Sequence, residues 1–293
     1  MEDGWIRLER GAIEAWIDPK GAELKALRRD GLPYLYEGDA PGFWPKSAPL
    51  LFPAVGRSMG DAWTLGDGRV VAMPRHGFAR DCGFDVLSVS ESAAVLELRA
   101  SDVTRLAYPF DFRLVARHHV DAGGLHVHYR ISNEGATPMP FSFGLHPAFR
   151  WPIDGVHAPR DAWRLRFPKS FSAERHVIDA NGYRSGATTR WIDGDRHALR
   201  DEDFSTDAIV LRDPPFSSVR LECDEIPTAV EVRFTKPSWI GFWTQPGAPF
   251  LCIEPWWGVA ACAGDSGRVN EKEAIRWIAP GEAEAFEMAV RLE

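Results

Sequence analysis

Short alternating segments separated by Gly, Pro and Asp turns run the length of this chain, and stretches of helical period are nearly missing. Apolar residues at every second position bury one face of a pleated strand, whereas a helix needs a period of about 3.6. The pattern predicts strands over residues 5–9, 12–18 and 22–28, then 84–90, 93–100, 110–120 and 125–132. Further strands are expected over 217–223, 229–234, 239–244 and 250–254, with 283–292 closing the chain. The link Asp121-Ala122-Gly123-Gly124 is a hairpin signature, because Gly tolerates the positive φ of a tight connection. One short helical segment is expected at 102–107, capped by Ser101 and stopped at Pro109. Many short strands with few helices predict an all-β antiparallel sandwich or barrel. The polar stretch 154–206 reads as a decorated connection inside that fold. No fixed-period repeat divides the chain, so residues 1–293 are expected to form one domain.

The charge balance excludes some partners. Asp and Glu number 42 against 34 Lys and Arg, a net charge of −8, which argues against nucleic acid or an anionic membrane surface. No apolar run is long enough to span a bilayer. Residues 1–4 lack the basic and apolar regions of a secretory signal. Cys82, Cys223, Cys252 and Cys262 are scattered, with no C-x-x-C pair, so a reduced, cytoplasmic protein is expected. Tryptophan is the anomaly, with 12 Trp against 5 Tyr. Its wide apolar face and single N–H suit cores and sugar-binding clefts alike.

Two motif matches carry little. Gly56-Arg57-Ser58-Met59-Gly60 fits G-x-S-x-G, but a nucleophile elbow needs a strand before it, a helix after it and a parallel sheet around it. A Gly-rich turn is the expected reading. His126-Val127-His128 puts two imidazoles on one strand face, with Glu134 too far downstream for a cupin-like metal site. His118 and His119 point to opposite faces. These are expected to be solvated strand residues, and no metal or cofactor is expected.

Four other stretches place ionisable groups in apolar surroundings, where they cost free energy unless they are paired or used. The run Ala48–Val55 is apolar and proline-bracketed and delivers Arg57 two residues on. His76 stands beside Gly77 in Pro74-Arg75-His76-Gly77-Phe78-Ala79-Arg80-Asp81. His146 ends Phe141-Ser142-Phe143-Gly144-Leu145 and precedes Pro147, which keeps its backbone extended. Glu254 ends the apolar Phe250-Leu251-Cys252-Ile253 and is followed by Pro255, Trp256 and Trp257. Together they point to a shared acid/base site.

At these stretches the sequence resembles the aldose 1-epimerase (galactose mutarotase) family, in its shorter, bacterial-type branch. Gly21–Leu24, Pro49–Arg57, His76–Asp81, Gly144–Phe149 and Pro246–Trp256 follow the family's motifs in order, over nearly the whole chain. The resemblance implies a large antiparallel β-supersandwich. It implies Glu254 as general base, His146 as general acid, His76 as support near the ring oxygen, and Arg57 and Asp207 as binders of sugar hydroxyls. Trp44, Trp243, Trp256 and Trp257 lie near the motifs and are candidate platforms for the C–H face of a hexose.

The expected activity is anomer exchange through the open-chain aldehyde, with one carboxylate and one imidazole across a ring-sized gap. An ionised Glu254 and a protonated His146 would give a bell-shaped pH profile. Three readings compete. A hexose-6-phosphate mutarotase would recruit Arg57, Arg75 and Arg80. A non-catalytic sugar-binding protein would not need an acid and a base. A glycoside hydrolase would require two flanking carboxylates, which Glu254 and Asp207 could imitate. The expected partner is a small-molecule sugar, and the oligomeric state is left open.

Overall fold

The structure, a computed structural model, describes residues 4–153 and 158–293. It holds one sheet of 15 strands and one of four, with two further two-stranded pairs. The large sheet starts at the edge strand Asp85–Val89 and runs through Ala93–Arg99, Phe112–Asp121, Gly124–Asn133 and Ala283–Leu292 to Ile226–Phe234 and Ser218–Cys223. It continues through Trp163–Ile178, Ile209–Arg212, Trp239–Trp243, Phe250–Trp257 and Phe143–Leu145 to Leu50–Leu51. Every named pairing is antiparallel, as the all-β expectation requires. The four-stranded sheet, Ile6–Arg10, Ile13–Asp18, Glu23–Arg29 and Leu32–Pro33, lies against Ala93–Arg99 and Phe112–Asp121.

Strand parity builds the core. Along Phe112–Asp121, Phe112, Leu114, Ala116, His118 and Val120 turn inward, while Arg117 and His119 face out. Its partner buries Leu125, Val127, Tyr129 and exposes His126. Each fully buried large apolar side chain contributes about 1.5–3 kcal/mol relative to exposure, so this alternation fixes the register. The hairpin link is held by Asp121 Oδ1, which accepts the Gly123 and Gly124 N–H groups at 2.7 and 3.0 Å. The helix Asp102–Ala107 forms where expected, and the Thr104 N–H donates to the Ser101 side chain.

The stretch 154–206 differs from its expectation. Residues 154–157 lie outside the described residues. Beyond them stands a long hairpin, Trp163–Ile178 against Arg184–Ala198. Much of the second strand is exposed along successive residues, so it is polar on both faces and lacks the alternation that marks a half-buried strand. The tip of this hairpin bears on the site below.

Candidate active site

Glu254 is placed by strand register. Along Phe250–Trp257, Cys252, Glu254 and Trp256 share one face, while Leu251, Ile253 and Trp257 point into the main core. Opposite lies the segment Phe143–Arg150. Gly144 pairs with Trp256, and Ala148 pairs with Cys252. The register on both sides therefore sets His146 directly across from Glu254. Pro147 cannot donate to the ladder, but its carbonyl accepts the Ile253 N–H at 3.1 Å. The result is His146 Nε2 at 3.2 Å from Glu254 Oε2, both side chains buried. On the other side Glu254 pairs with Gly241. Glycine is required there. A Cβ at Gly241 would stand 2.6 Å from the Trp256 indole, and one at Gly144 would stand 2.8 Å from it. The indole fills the slot that the two glycines leave.

His76 arrives from a tight turn. His76 and Gly77 both hold φ near +70°, a left-handed conformation that is costly for a side chain. A Cβ at Gly77 would overlap the Phe52 carbonyl oxygen, so only glycine fits. The His76 N–H donates to Gly56 O at 3.0 Å, and the Gly56 N–H donates to His76 Nδ1 at 3.2 Å. Nδ1 is thereby the acceptor, and Nε2 carries the proton of the neutral ring. The His76 and His146 ring centroids are 5.7 Å apart, edge to face.

These groups open onto a cavity of about 420 Å³, within the size range of small-molecule sites. Trp44 covers His146, with ring centroids 4.7 Å apart, and Trp243 stands edge-on to both. Gln245 Oε1 accepts the Trp44 backbone N–H at 2.7 Å and anchors that cover. Asp207, Arg75 and Arg80 supply polar walls. Arg75 approaches the Asp207 carboxylate at 3.8 Å, and its carbonyl accepts an N–H of Arg80 at 2.9 Å. Gly182, from the tip of the long hairpin, closes the rim against the Arg75 guanidinium.

Burial dominates the electrostatics. It pushes the Glu254 carboxyl well above its ordinary range; the Trp256 indole and Arg75 pull it back, and Asp207 raises it further. Burial also lowers His146 to about 3, with Arg80 and Arg75 acting in the same direction. His76 falls well below its usual value, by burial first and then by His146, Arg80 and Arg75. The expected ionised Glu254 and protonated His146 are thus opposed by their surroundings, and both groups are driven toward their neutral forms. His146 Nδ1, the ring nitrogen turned away from Glu254, is buried without a hydrogen-bond partner among the described residues. His146, Cys252 and Glu254 also bring ligand-type atoms within 4.8 Å of one another. Burial raises the Cys252 thiol well above its usual value, so this trio lacks the thiolate that a soft metal takes.

Comparison with known proteins shows the family and the fold. The family described as aldose 1-epimerase matches residues 5–182. This chain belongs to the aldose 1-epimerase family. Membership makes it an isomerase of mutarotase type. It is 26% identical to the chromosomal protein LacX of Lactococcus lactis subsp. lactis, over 94% of this chain and 95% of that one. A galactose mutarotase-like protein from Lactobacillus casei ATCC 334 superposes with a TM-score of 0.91 at 28% identity, covering 99% of this chain and 100% of that chain. A galactose mutarotase related enzyme from Lactobacillus acidophilus shares the fold, with a TM-score of 0.93 at 24% identity over 99% of this chain and 97% of that chain. The large antiparallel β-sandwich of the galactose mutarotase-like fold is therefore the fold of this chain.

In this epimerase-family chain, six of the residues singled out from sequence line one cavity: Glu254, His146, His76, Asp207, Trp243 and Trp256. Trp44 joins them. Arg57 does not line it. Its guanidinium binds Asp61 through two bonds of 2.8 and 2.7 Å, donates to Asn181 O at 2.9 Å and lies over the Tyr183 ring. It braces the hairpin tip that carries Gly182. Trp257 is in the main core, its indole N–H donating to Lys236 O at 3.1 Å. Gln245 lines the cavity as well. Ser58 of the G-x-S-x-G match is buried and accepts the Trp63 indole N–H at 2.8 Å, which fits a structural turn.

Proposed function

We propose that this chain exchanges the α and β anomers of a hexose by ring opening and closure, with Glu254 as general base and His146 as general acid. The observation that supports this most is the pair itself: a carboxyl and an imidazole 3.2 Å apart at the floor of a sugar-sized cavity. A ring-sized gap between them was expected, yet adjacency suits the reaction better. O1 and the ring oxygen O5 are bonded to the same carbon, so the groups that serve them must be neighbours. Glu254 takes the O1 proton while His146 delivers one to O5. The C1–O5 bond breaks, and the O1 electron pair becomes the aldehyde carbonyl. Rotation about C1–C2 presents the other face, and closure reverses both transfers.

The pair holds the same number of protons at the start and at the end. After ring opening Glu254 is protonated and His146 neutral, the distribution that burial favours. Each positioned group contributes about 10²–10⁴-fold. His76 would donate from Nε2 near the ring oxygen. Asp207 and Arg75 would hold hydroxyls, and the faces of Trp44, Trp243 and Trp256 would take the C–H surface. The chemistry calls for no cofactor. The four unpaired cysteines fit a reducing compartment such as the cytoplasm.

Arg75 and Arg80 on the cavity wall favour a second reading, a sugar carrying an anionic group such as a phosphate. Anomer exchange by NMR, measured on equilibrated glucose, galactose and a hexose 6-phosphate, tests both. Acceleration of any neutral hexose supports the first reading. Acceleration confined to the phosphate supports the second. Binding of these sugars without acceleration would favour a non-catalytic sugar-binding protein.

A further inference from the structure

A second cluster of histidines lies away from the catalytic cavity, on the solvent face of the large sheet. It sits in an open groove of about 690 Å³ across the strands Phe112–Asp121, Gly124–Asn133 and Ala283–Leu292, with Ile226–Phe234 alongside. The hairpin register places His119 directly opposite His126, and their exposed rings stand 6.0 Å apart, centroid to centroid. His128 follows on the same face as His126, and its cross-strand partner on the other side is Glu287 at 3.9 Å. Asp121 fixes the geometry. Its Oδ1 is held by two N–H groups of the turn, and its Oδ2 is 2.9 Å from His126 Nε2. A carboxylate on one ring nitrogen orients the imidazole and leaves the other nitrogen, Nδ1, free as a ligand.

We propose that His119 and His126 form a surface site for a divalent transition ion of the zinc type, with Asp121 behind His126 and with His128 or Glu287 within reach as a third ligand. Side-chain rotation alone is needed to bring one nitrogen of each opposed ring to about 2.0–2.1 Å from a shared ion. Imidazole donors select zinc, nickel or copper over magnesium and calcium. The charged neighbours in the groove, Arg117, Arg233, Glu231 and Glu287, balance one another in sign and leave the histidines as the selecting groups. The match of His126-Val127-His128 with distant Glu134 fails because Glu134 is bound to Arg99 at 2.7 Å. The partner that the sequence could not supply is His119 on the neighbouring strand.

Calorimetric titration of Zn²⁺ into the full-length protein tests the site, with Mg²⁺ as control and with His119→Ala and His126→Ala as variants. Both positions are exposed, so the variants are expected to melt like the parent. The expected result is one saturable Zn²⁺ site, weakened about tenfold or more by either substitution, with anomer exchange in the absence of zinc unchanged. Absence of saturation below roughly millimolar Zn²⁺ would overturn the proposal. So would zinc binding that survives both substitutions, or Mg²⁺ binding of equal strength. If the surviving site were instead abolished by Cys252→Ser, the ion would belong to the buried trio beside Glu254.

Discussion

In the cavity, His146 sits under Trp44 with its Nδ1 buried and unpartnered, and His76 stands edge to face against it; in the groove, His119, His126 and His128 stand in solvent, with carboxylates beside His126 and His128. The residue type is the same, and the environment decides its use. A desolvated imidazole beside a desolvated carboxyl holds one proton between them, which the reaction can move from one to the other. A solvated imidazole opposite another is a ligand pair. The strand Phe112–Asp121 draws the same contrast within two residues, since His118 is buried without a partner and His119 is exposed.

The largest expected effect on this comparison is catalytic. His146→Gln is predicted to lower the anomer-exchange rate by about 10²–10⁴-fold without changing the circular dichroism spectrum. Adding Glu254→Gln should cost little more, because groups that act as a unit are not additive. Next comes the turn that delivers His76. Gly77→Ala should destabilise the fold by about 3 kcal/mol or more, read from denaturant unfolding, since it adds a left-handed penalty to a backbone overlap.

Acid stability should follow His118, which burial lowers to about 4. The unfolded chain takes this proton first, so the His118 contribution is fully present above pH 6.5, declines as the pH drops below it, and is lost near 4. His118→Leu should remove on the order of 3 kcal/mol from that decline, whereas His119→Leu should leave it unchanged. Equal effects would break the distinction between the two faces.

The catalytic profile should be broad. With His146 lowered and Glu254 raised, the pair keeps its single shared proton across neutrality. The acid limb is expected well below pH 6.5, and the alkaline limb well above the ordinary carboxyl range. A narrow bell centred between 4.5 and 6.5 would contradict the burial argument. The smallest effect is expected in the groove, where His126→Ala should change stability by no more than about 0.5 kcal/mol.

Much of this was legible in sequence because strands write their burial into alternation. The short helix was legible from Ser101. Glu254 and His146 stood out as ionisable groups in apolar strand ends. Their 3.2 Å contact did not, because antiparallel register over a hundred residues is set by the whole sheet. The long hairpin was missed because a strand wet on both faces carries no alternation. Arg57 lies outside the cavity lining, which sequence does not reveal because it gives no side-chain direction; its carboxylate partner Asp61 is four residues on. Trp257 was avoidable. Parity puts it on the face opposite Glu254, whereas Trp256 shares that face.

The most direct measurement is saturation-transfer NMR on the α and β anomers of the accelerated sugar, comparing the parent protein with Glu254→Gln at equal concentration. The account predicts exchange in the parent and a fall toward the uncatalysed rate in the variant, with sugar binding retained. Exchange that survives in a folded Glu254→Gln protein would remove the carboxyl from the chemistry and contradict the pairing on which the account rests.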